Sequence, residues 1–360
     1  MARSCDFQEV FMSISIPPVD GAYMMELTAE LCRIASPTGY TAGATAKAKQ
    51  VAAELGLDVH ETRKGSLLIP LGGTGEGGRV LSGHVDTLGV MVKEIKPNGR
   101  LKLTQIGGYD WSTIEGEFCT VHTAKQGDVT GTIVATLASY HVHGQALRDL
   151  KRDEKSIEVR LDAVVESDDD VRALGISVGD FISLDPRTTI TPSGFIKSRH
   201  LDDKACVAIN FGVAKALKEA GLTPKKPSWL YVSVWEEVGH GTSAGLPEGV
   251  EEVIAVDMAA VGEGQTSDEM ATTVCVKDGT GPYNYELSRR LIDLAEANDI
   301  DCRVDIYTYY GSDVSQALRA GYDIKGGLVG PGVDASHAYE RLHQKSLEET
   351  ARLLLAYLLN

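Results

Sequence analysis

The sequence predicts an α/β protein in which helices flank a mostly parallel sheet and a small β-rich domain is inserted into the chain. In residues 1–90 and 185–360, apolar runs alternate with helical patterns, as is typical of a parallel sheet covered on both faces. Residues 91–184 instead show short alternating runs separated by glycines, which is typical of a small β domain. The 360 residues are enough for one large domain and one smaller domain.

The first part of the chain predicts two helices and then three short strands. The helices cover Tyr23–Ala35 and Thr45–Leu55, and the strands cover Leu57–Thr62, Ser66–Leu71 and Arg79–Ser82. The glycine-rich tract 72–78 separates the last two strands. Because no Lys-Ser/Thr pair and no helix follow this tract, it predicts a hairpin turn rather than a phosphate-binding loop.

The second part of the chain again alternates strands and helices. The predicted strands are Ser228–Trp235, Val253–Val256, Cys302–Tyr307 and Ile324–Val329, and the predicted helices are 205–220, Tyr285–Asn298, Asp313–Ala320 and Ser346–Leu359. In sheets of this kind, ligands bind beyond the carboxyl ends of the strands. Functional side chains are therefore expected directly after the strands.

Charge and cysteine content restrict the partners and the compartment. With 35 basic and 51 acidic residues, the formal charge is −16, which argues against nucleic acid and anionic membrane surfaces as partners. No apolar run approaches the roughly 20 residues that a membrane span needs. Segment Met1–Asp20 lacks the pattern of a signal peptide. The six cysteines form no C-x-x-C pair, so we expect reduced thiols in a cytoplasmic protein.

Two adjacent carboxylates, Glu236 and Glu237, follow the apolar run Ser228–Trp235. Two acids at the end of a buried strand are costly unless a cation or a catalytic role accounts for them. Four further residues are candidates for the same site: His84, Asp202, Asp257 and His337. Taken singly, they are better explained as a helix cap, a turn residue or ordinary histidines. Together with the two glutamates they form a mixed nitrogen and oxygen set suited to zinc, cobalt or manganese.

The segment Gly83-His84-Val85-Asp86-Thr87 suggests a supporting role for Asp86. Alternation in an extended segment puts His84 and Asp86 on the same side of the chain. The carboxylate of Asp86 is therefore expected to accept the spare ring N–H of His84 and to fix its tautomer.

The whole constellation resembles the M42 family of co-catalytic metallo-aminopeptidases, the glutamyl and deblocking aminopeptidases related to tetrahedral TET particles. The resemblance extends from Ser36-Pro37-Thr38-Gly39 to His337, and Tyr310-Gly311-Ser312-Asp313 resembles the family's Gly-Gly-Thr-Asp stretch near the substrate pocket. It implies a zinc-peptidase-like fold and two divalent metal ions per subunit, zinc first, with cobalt or manganese as alternatives. The implied roles are bridging of both ions by Asp202, ligation of one ion by His84 and Asp257, ligation of the other by Glu237 and His337, and general-base catalysis by Glu236.

The resemblance also concerns assembly. Residues 91–184 resemble the family's dimerisation domain, which implies a homo-oligomer built from dimers, up to a dodecamer. The 117 positions between His84 and Asp202 leave room for this domain, a gap that favours M42 over the related M20 and M28 families. Two positions depart from the family pattern, since Thr87 stands where glutamate is usual and His240 where an apolar residue is common.

The function predicted from these residues is removal of N-terminal residues from peptides by a water that two metal ions activate. Hydrolysis of another amide in the same fold remains an alternative. A glycosidase is less compatible, because adjacent residues on an extended chain, such as Glu236 and Glu237, point to opposite sides. A non-catalytic scaffold would be expected to have lost part of the site.

Overall fold

The computed structural model describes residues 14–360. Cys5 and most of the segment Met1–Asp20 lie outside the described residues. The five cysteines within residues 14–360 are free thiols, and four of them are buried. No helix in this part of the chain is long and apolar enough to cross a bilayer.

The long helices that the sequence predicts are present, with ends within about one turn of the predicted positions. Within residues 14–360 the helices are α1 (Gly21–Cys32), α2 (Ala42–Glu54), α3 (Tyr140–His143), α4 (Gln145–Asp149), α5 (Asp168–Ala173), α6 (Leu201–Ala220), α7 (Tyr285–Ala297), α8 (Asp313–Arg319) and α9 (Gln344–Leu359). Two 3₁₀ turns lie at Trp111–Thr113 and Glu236–Val238.

The strands form one large sheet and one closed barrel. In chain order they are β1 (His60–Glu61), β2 (Leu67–Gly72), β3 (Gly78–His84), β4 (Gly89–Ile95), β5 (Leu101–Ile106), β6 (Phe118–Thr123), β7 (Gly127–Ala135), β8 (Ile157–Leu161), β9 (Phe181–Leu184), β10 (Thr189–Ile190), β11 (Phe195–Ser198), β12 (Ser228–Ser233), β13 (Val250–Val256), β14 (Ala259–Val261), β15 (Thr272–Asp278), β16 (Gly281–Pro282), β17 (Cys302–Ile306), β18 (Lys325–Asp334) and β19 (Glu340–His343).

The large sheet has a parallel centre, as predicted. Strands β12, β3, β13 and β18 lie side by side in that order and run parallel to one another. On either side the pairing becomes antiparallel, with β2 beside β12 and with β15 and β19 beside β18. The sheet is therefore mixed, and its four central strands all direct their carboxyl ends to one edge.

The hairpin predicted at the glycine-rich tract 72–78 is wrong. Strand β12 lies between β2 and β3, antiparallel to the first and parallel to the second. The tract therefore passes across the start of β12 instead of closing a two-stranded turn. At Gly73 the backbone has φ +100°, and a Cβ atom would lie 2.0 Å from the carbonyl oxygen of Lys226. Only glycine fits this close crossing.

Strands β4 to β9 close into a barrel in the order β4-β5-β8-β7-β6-β9. This agrees with the predicted β-rich insertion. The barrel has its own apolar core, separate from that of the large sheet and including Val121, Ile133 and Ile182. The short helices α3 and α4, which the sequence did not predict, lie between β7 and β8.

Helix α6 is the central helix of the α/β part. It packs against β3 and contacts α1 and α9 on the same face of the sheet. Its side chains are buried almost throughout from Leu201 to Leu217. Because its amino end points into the molecule at the edge where the parallel strands end, the residues of its first turn reach the same region as the strand ends.

Candidate metal centre

Three neighbouring strands bring four of the candidate residues to one edge of the sheet. His84 is the last residue of β3, and Asp257 directly follows β13. Glu236 and Glu237 lie in the 3₁₀ turn after β12. Because β12, β3 and β13 are adjacent and parallel, these side chains converge as the sequence predicts.

Asp202 and His337 approach this edge from other elements. Asp202 is in the first turn of α6, and His337 is in the turn between β18 and β19. The Oδ1 atom of Asp202 lies 3.3 Å from Nε2 of His84, and its Oδ2 atom lies 3.2 Å from Nε2 of His337. Each oxygen of this one carboxylate therefore faces a different imidazole.

A second carboxylate accompanies each imidazole. Ligand atoms of His84, Asp202 and Asp257 all lie within 4.8 Å of one another, and all three residues are buried. On the other side, Oε2 of Glu237 lies 3.8 Å from Nε2 of His337. The Oε1 atom of Glu237 is buried without a hydrogen-bond partner among the described residues. The first of these groups could hold a metal ion, and the second shares Asp202 with it.

The electrostatics of the cluster agree with cation binding. Burial raises the pKa of Glu237 to about 8, and burial together with the charge of Asp202 raises the pKa of Asp257 to about 7. Burial alone would lower the pKa of His337, but the carboxylates of Glu237 and Asp202 raise it to about 11. Protons thus compensate a surplus of buried negative charge that metal ions would otherwise neutralise.

Glu236 lies beside the cluster rather than within it. Its Oε2 atom is 3.8 Å from Nε2 of His84, and its Oε1 atom accepts a hydrogen bond from Gln316 at 2.7 Å. Burial raises its pKa well above the ordinary value for a glutamic acid, while the neighbouring His84 opposes this shift. An acid with a raised pKa next to a cation site can accept and return a proton.

The predicted hydrogen bond from the ring of His84 to the carboxylate of Asp86 is wrong. The ring atom Nδ1 of His84 lies 2.9 Å from the backbone carbonyl oxygen of Asp86, while the carboxylate oxygen is 3.6 Å away. The carboxylate is instead occupied by the backbone N–H groups of Glu236 and Glu237 and by the hydroxyl of Thr38. Asp86 therefore orients His84 with its main chain and the 3₁₀ turn with its side chain.

Sequence reasoning missed three residues that hold the cluster in place. Asp203 accepts the backbone N–H of His84 at 3.0 Å. Glu340 accepts the backbone N–H groups of Leu201, Asp202 and His337. The third is Gln316. Neither residue type nor spacing distinguishes these three residues in the sequence, because each acts through contacts with distant parts of the chain.

Comparison with known proteins identifies the family. A family model described as M42 glutamyl aminopeptidase matches residues 65–353. The chain belongs to the M42 family. YhfE of Bacillus subtilis (strain 168), whose name makes it a candidate aminopeptidase, is 46% identical over 334 residues, which cover 92% of this chain and 96% of YhfE.

Solved structures of TET peptidases share this fold. A TET aminopeptidase from the marine sediment archaeon Thaumarchaeota archaeon SCGC AB-539-E09 matches with a TM-score of 0.85 at 18% identity, covering 94% of this chain and 97% of that one. The TET1 peptidase of Pyrococcus horikoshii, described as assembling into a tetrahedron or a large octahedral shell, matches with a TM-score of 0.82 at 21% identity, covering 94% and 99%. At these identities the likeness concerns the fold.

The two departures from the M42 pattern lie outside the carboxylate cluster. The hydroxyl of Thr87 donates to the carbonyl of Leu88 at 3.0 Å, and Thr87 is buried. The ring of His240 is exposed and stacks on Trp235, with centroids 5.3 Å apart. Beside the cluster lies a cleft of about 620 Å³, whose wall includes Tyr310, Gly311 and Gln316.

Proposed function

We propose that this M42 protein is a metal-dependent aminopeptidase that removes the N-terminal residue of peptides by means of a water that two divalent metal ions would activate. The observation that carries the proposal is the position of Asp202 between two imidazoles, at 3.3 Å from His84 and 3.2 Å from His337. This carboxylate would help to hold two cations, one together with His84 and the other together with His337.

Each metal ion would have its own pair of ligands in addition to Asp202. His84 and Asp257 would bind one ion, and Glu237 and His337 would bind the other. Nitrogen and oxygen ligands of this kind suit zinc first, with cobalt and manganese as alternatives. When bound, the ions lower the pKa of a water molecule and polarise the scissile carbonyl group.

Glu236 would act as the general base in this reaction. It would take the proton from the attacking water and later transfer it to the leaving amine. The open side of the cluster faces a cleft of about 620 Å³, which is large enough for the first residues of a peptide. The free α-amine of a peptide in this cleft would lie near the metal ligands, which would limit cleavage to the N-terminal residue.

Hydrolysis of aminoacyl-p-nitroanilides tests this function. Protein stripped with a chelator should be inactive, and zinc, cobalt or manganese should restore turnover of substrates with a free amine. The matched N-acetylated substrates should not be cleaved. Equal turnover of free and acetylated substrates would refute the aminopeptidase assignment. Absence of turnover with every substrate and metal would favour another amide substrate or a non-catalytic protein.

We also propose that the protein forms homo-oligomers from dimers and that the barrel region, residues 91–184, contributes the dimer contact. Support comes from the TET1 structures described as a dodecamer or as a tetrahedron and a large octahedral shell. The barrel region also exposes apolar side chains to solvent: Phe118, Val142, Val164 and Val178. A monomeric mass by light scattering would contradict this proposal. The cytoplasmic location predicted from the cysteines stays a prediction.

A further inference from the structure

Gln316 connects helix α8 to the side chain of Glu236. Its Nε2 atom lies 2.7 Å from Oε1 of Glu236 and 3.2 Å from the backbone carbonyl oxygen of the same residue. Its Oε1 atom accepts the backbone N–H of Gly241. Because a backbone N–H can only donate, this contact places the amide oxygen at Gly241 and the NH₂ group at Glu236. Gln316 is only 5% exposed.

This contact leaves the two oxygens of Glu236 in different surroundings. Oε1 is held by the amide, while Oε2 faces the ligand cluster, 3.8 Å from Nε2 of His84. The last side-chain torsion of a glutamate, χ3, has a broad distribution of angles. The backbone and the first two torsions therefore do not determine where the carboxylate oxygens point. A donor at Oε1 removes this freedom and leaves Oε2 for proton transfer.

We propose that Gln316 is the positioning residue of the general base. It holds the carboxylate of Glu236 at one rotation, with Oε2 directed toward the site of the attacking water. This inference rests on the proposed function, in which Glu236 is the base. The hydrogen bonds of Gln316 join it to Glu236 and Gly241, and neither of these is a proposed metal ligand. Its role therefore concerns the base and not the retention of metal.

The size of the effect follows from comparable supporting residues. Side chains that orient the groups of a metal centre typically contribute 10–100-fold to activity. Loss of the Gln316 amide should therefore lower kcat by roughly 10–100-fold. KM should stay within about twofold, because the substrate is bound by other groups.

Two substitutions separate loss of the donor from disturbance of the loop. Gln316→Glu keeps the volume and an acceptor for the N–H of Gly241 but places an oxygen where the NH₂ group contacts Glu236. Gln316→Met removes both contacts at nearly the same size. The matched control is Gln344→Met, since Gln344 donates an equivalent amide-to-carboxylate bond to Glu348 at 2.8 Å on helix α9. The control should keep the kcat of the parent enzyme.

The measurements are kcat and KM on leucyl-p-nitroanilide with zinc-loaded enzyme, bound zinc per chain, and a crystal structure of Gln316→Met. We expect the kcat loss with unchanged zinc content and a Glu236 carboxylate that is rotated or occupies several positions. A parental kcat in both Gln316 variants, or an unmoved carboxylate in the crystal, would overturn the proposal. A loss of zinc in the variants would overturn it too, since Gln316 would then support the metal centre.

A double-mutant comparison distinguishes positioning of the base from a general structural role. In a Glu236→Gln background there is no base to position, so Gln316→Met should cause no further loss of kcat. A further loss of the same factor would show that Gln316 acts independently of Glu236 and would overturn the proposal. If Glu236→Gln alone retained full activity, the base assignment in the proposed function would fail, which is a separate outcome.

Discussion

The carboxylate of Asp86 accepts the backbone N–H of Glu236 at 3.1 Å. Its second oxygen accepts the N–H of Glu237 at 3.3 Å and the hydroxyl of Thr38 at 2.6 Å. One fully buried side chain therefore determines how the turn after β12 presents both the proposed base and a proposed metal ligand. The same residue orients His84 through its backbone carbonyl, so both neighbouring strand ends depend on it.

Replacement of Asp86 by asparagine should destabilise the protein and reduce turnover. The amide directs an NH₂ group toward backbone N–H donors, so at least one buried donor loses its acceptor. Such a loss costs about 1–3 kcal/mol in the free energy of unfolding. Guanidinium denaturation and nitroanilide turnover measure the two effects. The partly exposed Asp293→Asn is the control and should match the parent. An Asp86→Asn protein with parental stability and activity would contradict this account.

Replacement of Glu236 by glutamine should abolish most of the chemistry while leaving the metal in place. Glutamine has the same size and can still accept the Gln316 hydrogen bond through its oxygen, but it cannot take a proton. General-base catalysis contributes roughly 10²–10⁴-fold, so kcat should fall by that factor. Bound zinc, measured by elemental analysis, should remain unchanged. The solvent-exposed Glu219→Gln is the matched control, and an active Glu236→Gln enzyme would show that another group is the base.

Removal of metal should make the stability depend on pH in a definite direction. Burial holds the pKa of Glu237 at about 8 and that of Asp257 at about 7, compared with 4.5 and 3.8 in an unfolded chain. Between about pH 4 and 8 the folded metal-free protein therefore binds more protons than the unfolded chain, and its stability falls as the pH rises. His337, with a pKa raised to about 11, contributes in the same direction above pH 6.5.

Bound zinc should remove this loss of stability at higher pH, because the carboxylates then compensate the metal charge instead of binding protons. Melting temperatures at about pH 5.5 and about pH 8, with and without chelator, provide the test. The chelated protein should melt lower at the higher pH, and the zinc-loaded protein should not. A chelated protein whose melting temperature rises with pH over this window would refute the expected surplus of buried acid.

The positions of the strand-end residues could be predicted because a local pattern determines them. Once β3, β12 and β13 are taken as parallel strands, His84, Glu236 and Asp257 must meet at one edge. The pairing of β12 between β2 and β3 could not be predicted in this way, because strand order depends on contacts between distant parts of the chain. The predicted hairpin at residues 72–78 was wrong for this reason.

The contacts of Asp86 and Glu340 show the same limit at the site itself. Alternation correctly brings Asp86 near His84, but its carboxylate is taken by amides some 150 positions later in the chain. Glu340 acts through the N–H groups of Leu201 and Asp202, about 139 positions earlier. Residue type and spacing carry information about ligands, whereas the supporting groups are selected by the fold.

A buried ion network at the opposite end of the sheet tests stability separately from chemistry. Glu252, near the start of β13, accepts hydrogen bonds from Arg290 at 2.5 Å and from the hydroxyl of Tyr357 at 2.8 Å, and lies 3.4 Å from the guanidinium of Arg79. Arg79 and Tyr357 are almost completely buried. Burial raises the pKa of Glu252, but the two guanidinium groups outweigh it and lower the pKa overall.

Glu252→Gln should therefore destabilise the protein strongly without altering the kcat of folded enzyme. It leaves buried guanidinium charge without a counter-charge, and breaking a buried pair in this way costs about 3–5 kcal/mol in the free energy of unfolding. Because the pKa of Glu252 is lower in the folded protein than in the unfolded chain, its carboxylate stabilises the fold above about pH 4.5. This stabilisation should be lost as the pH falls below that value. Guanidinium denaturation at neutral and acid pH measures both effects. The solvent-exposed Glu286→Gln, which removes a surface pair with Lys325, should leave the midpoint unchanged. A Glu252→Gln protein as stable as the parent at neutral pH would show that the network does not stabilise the fold.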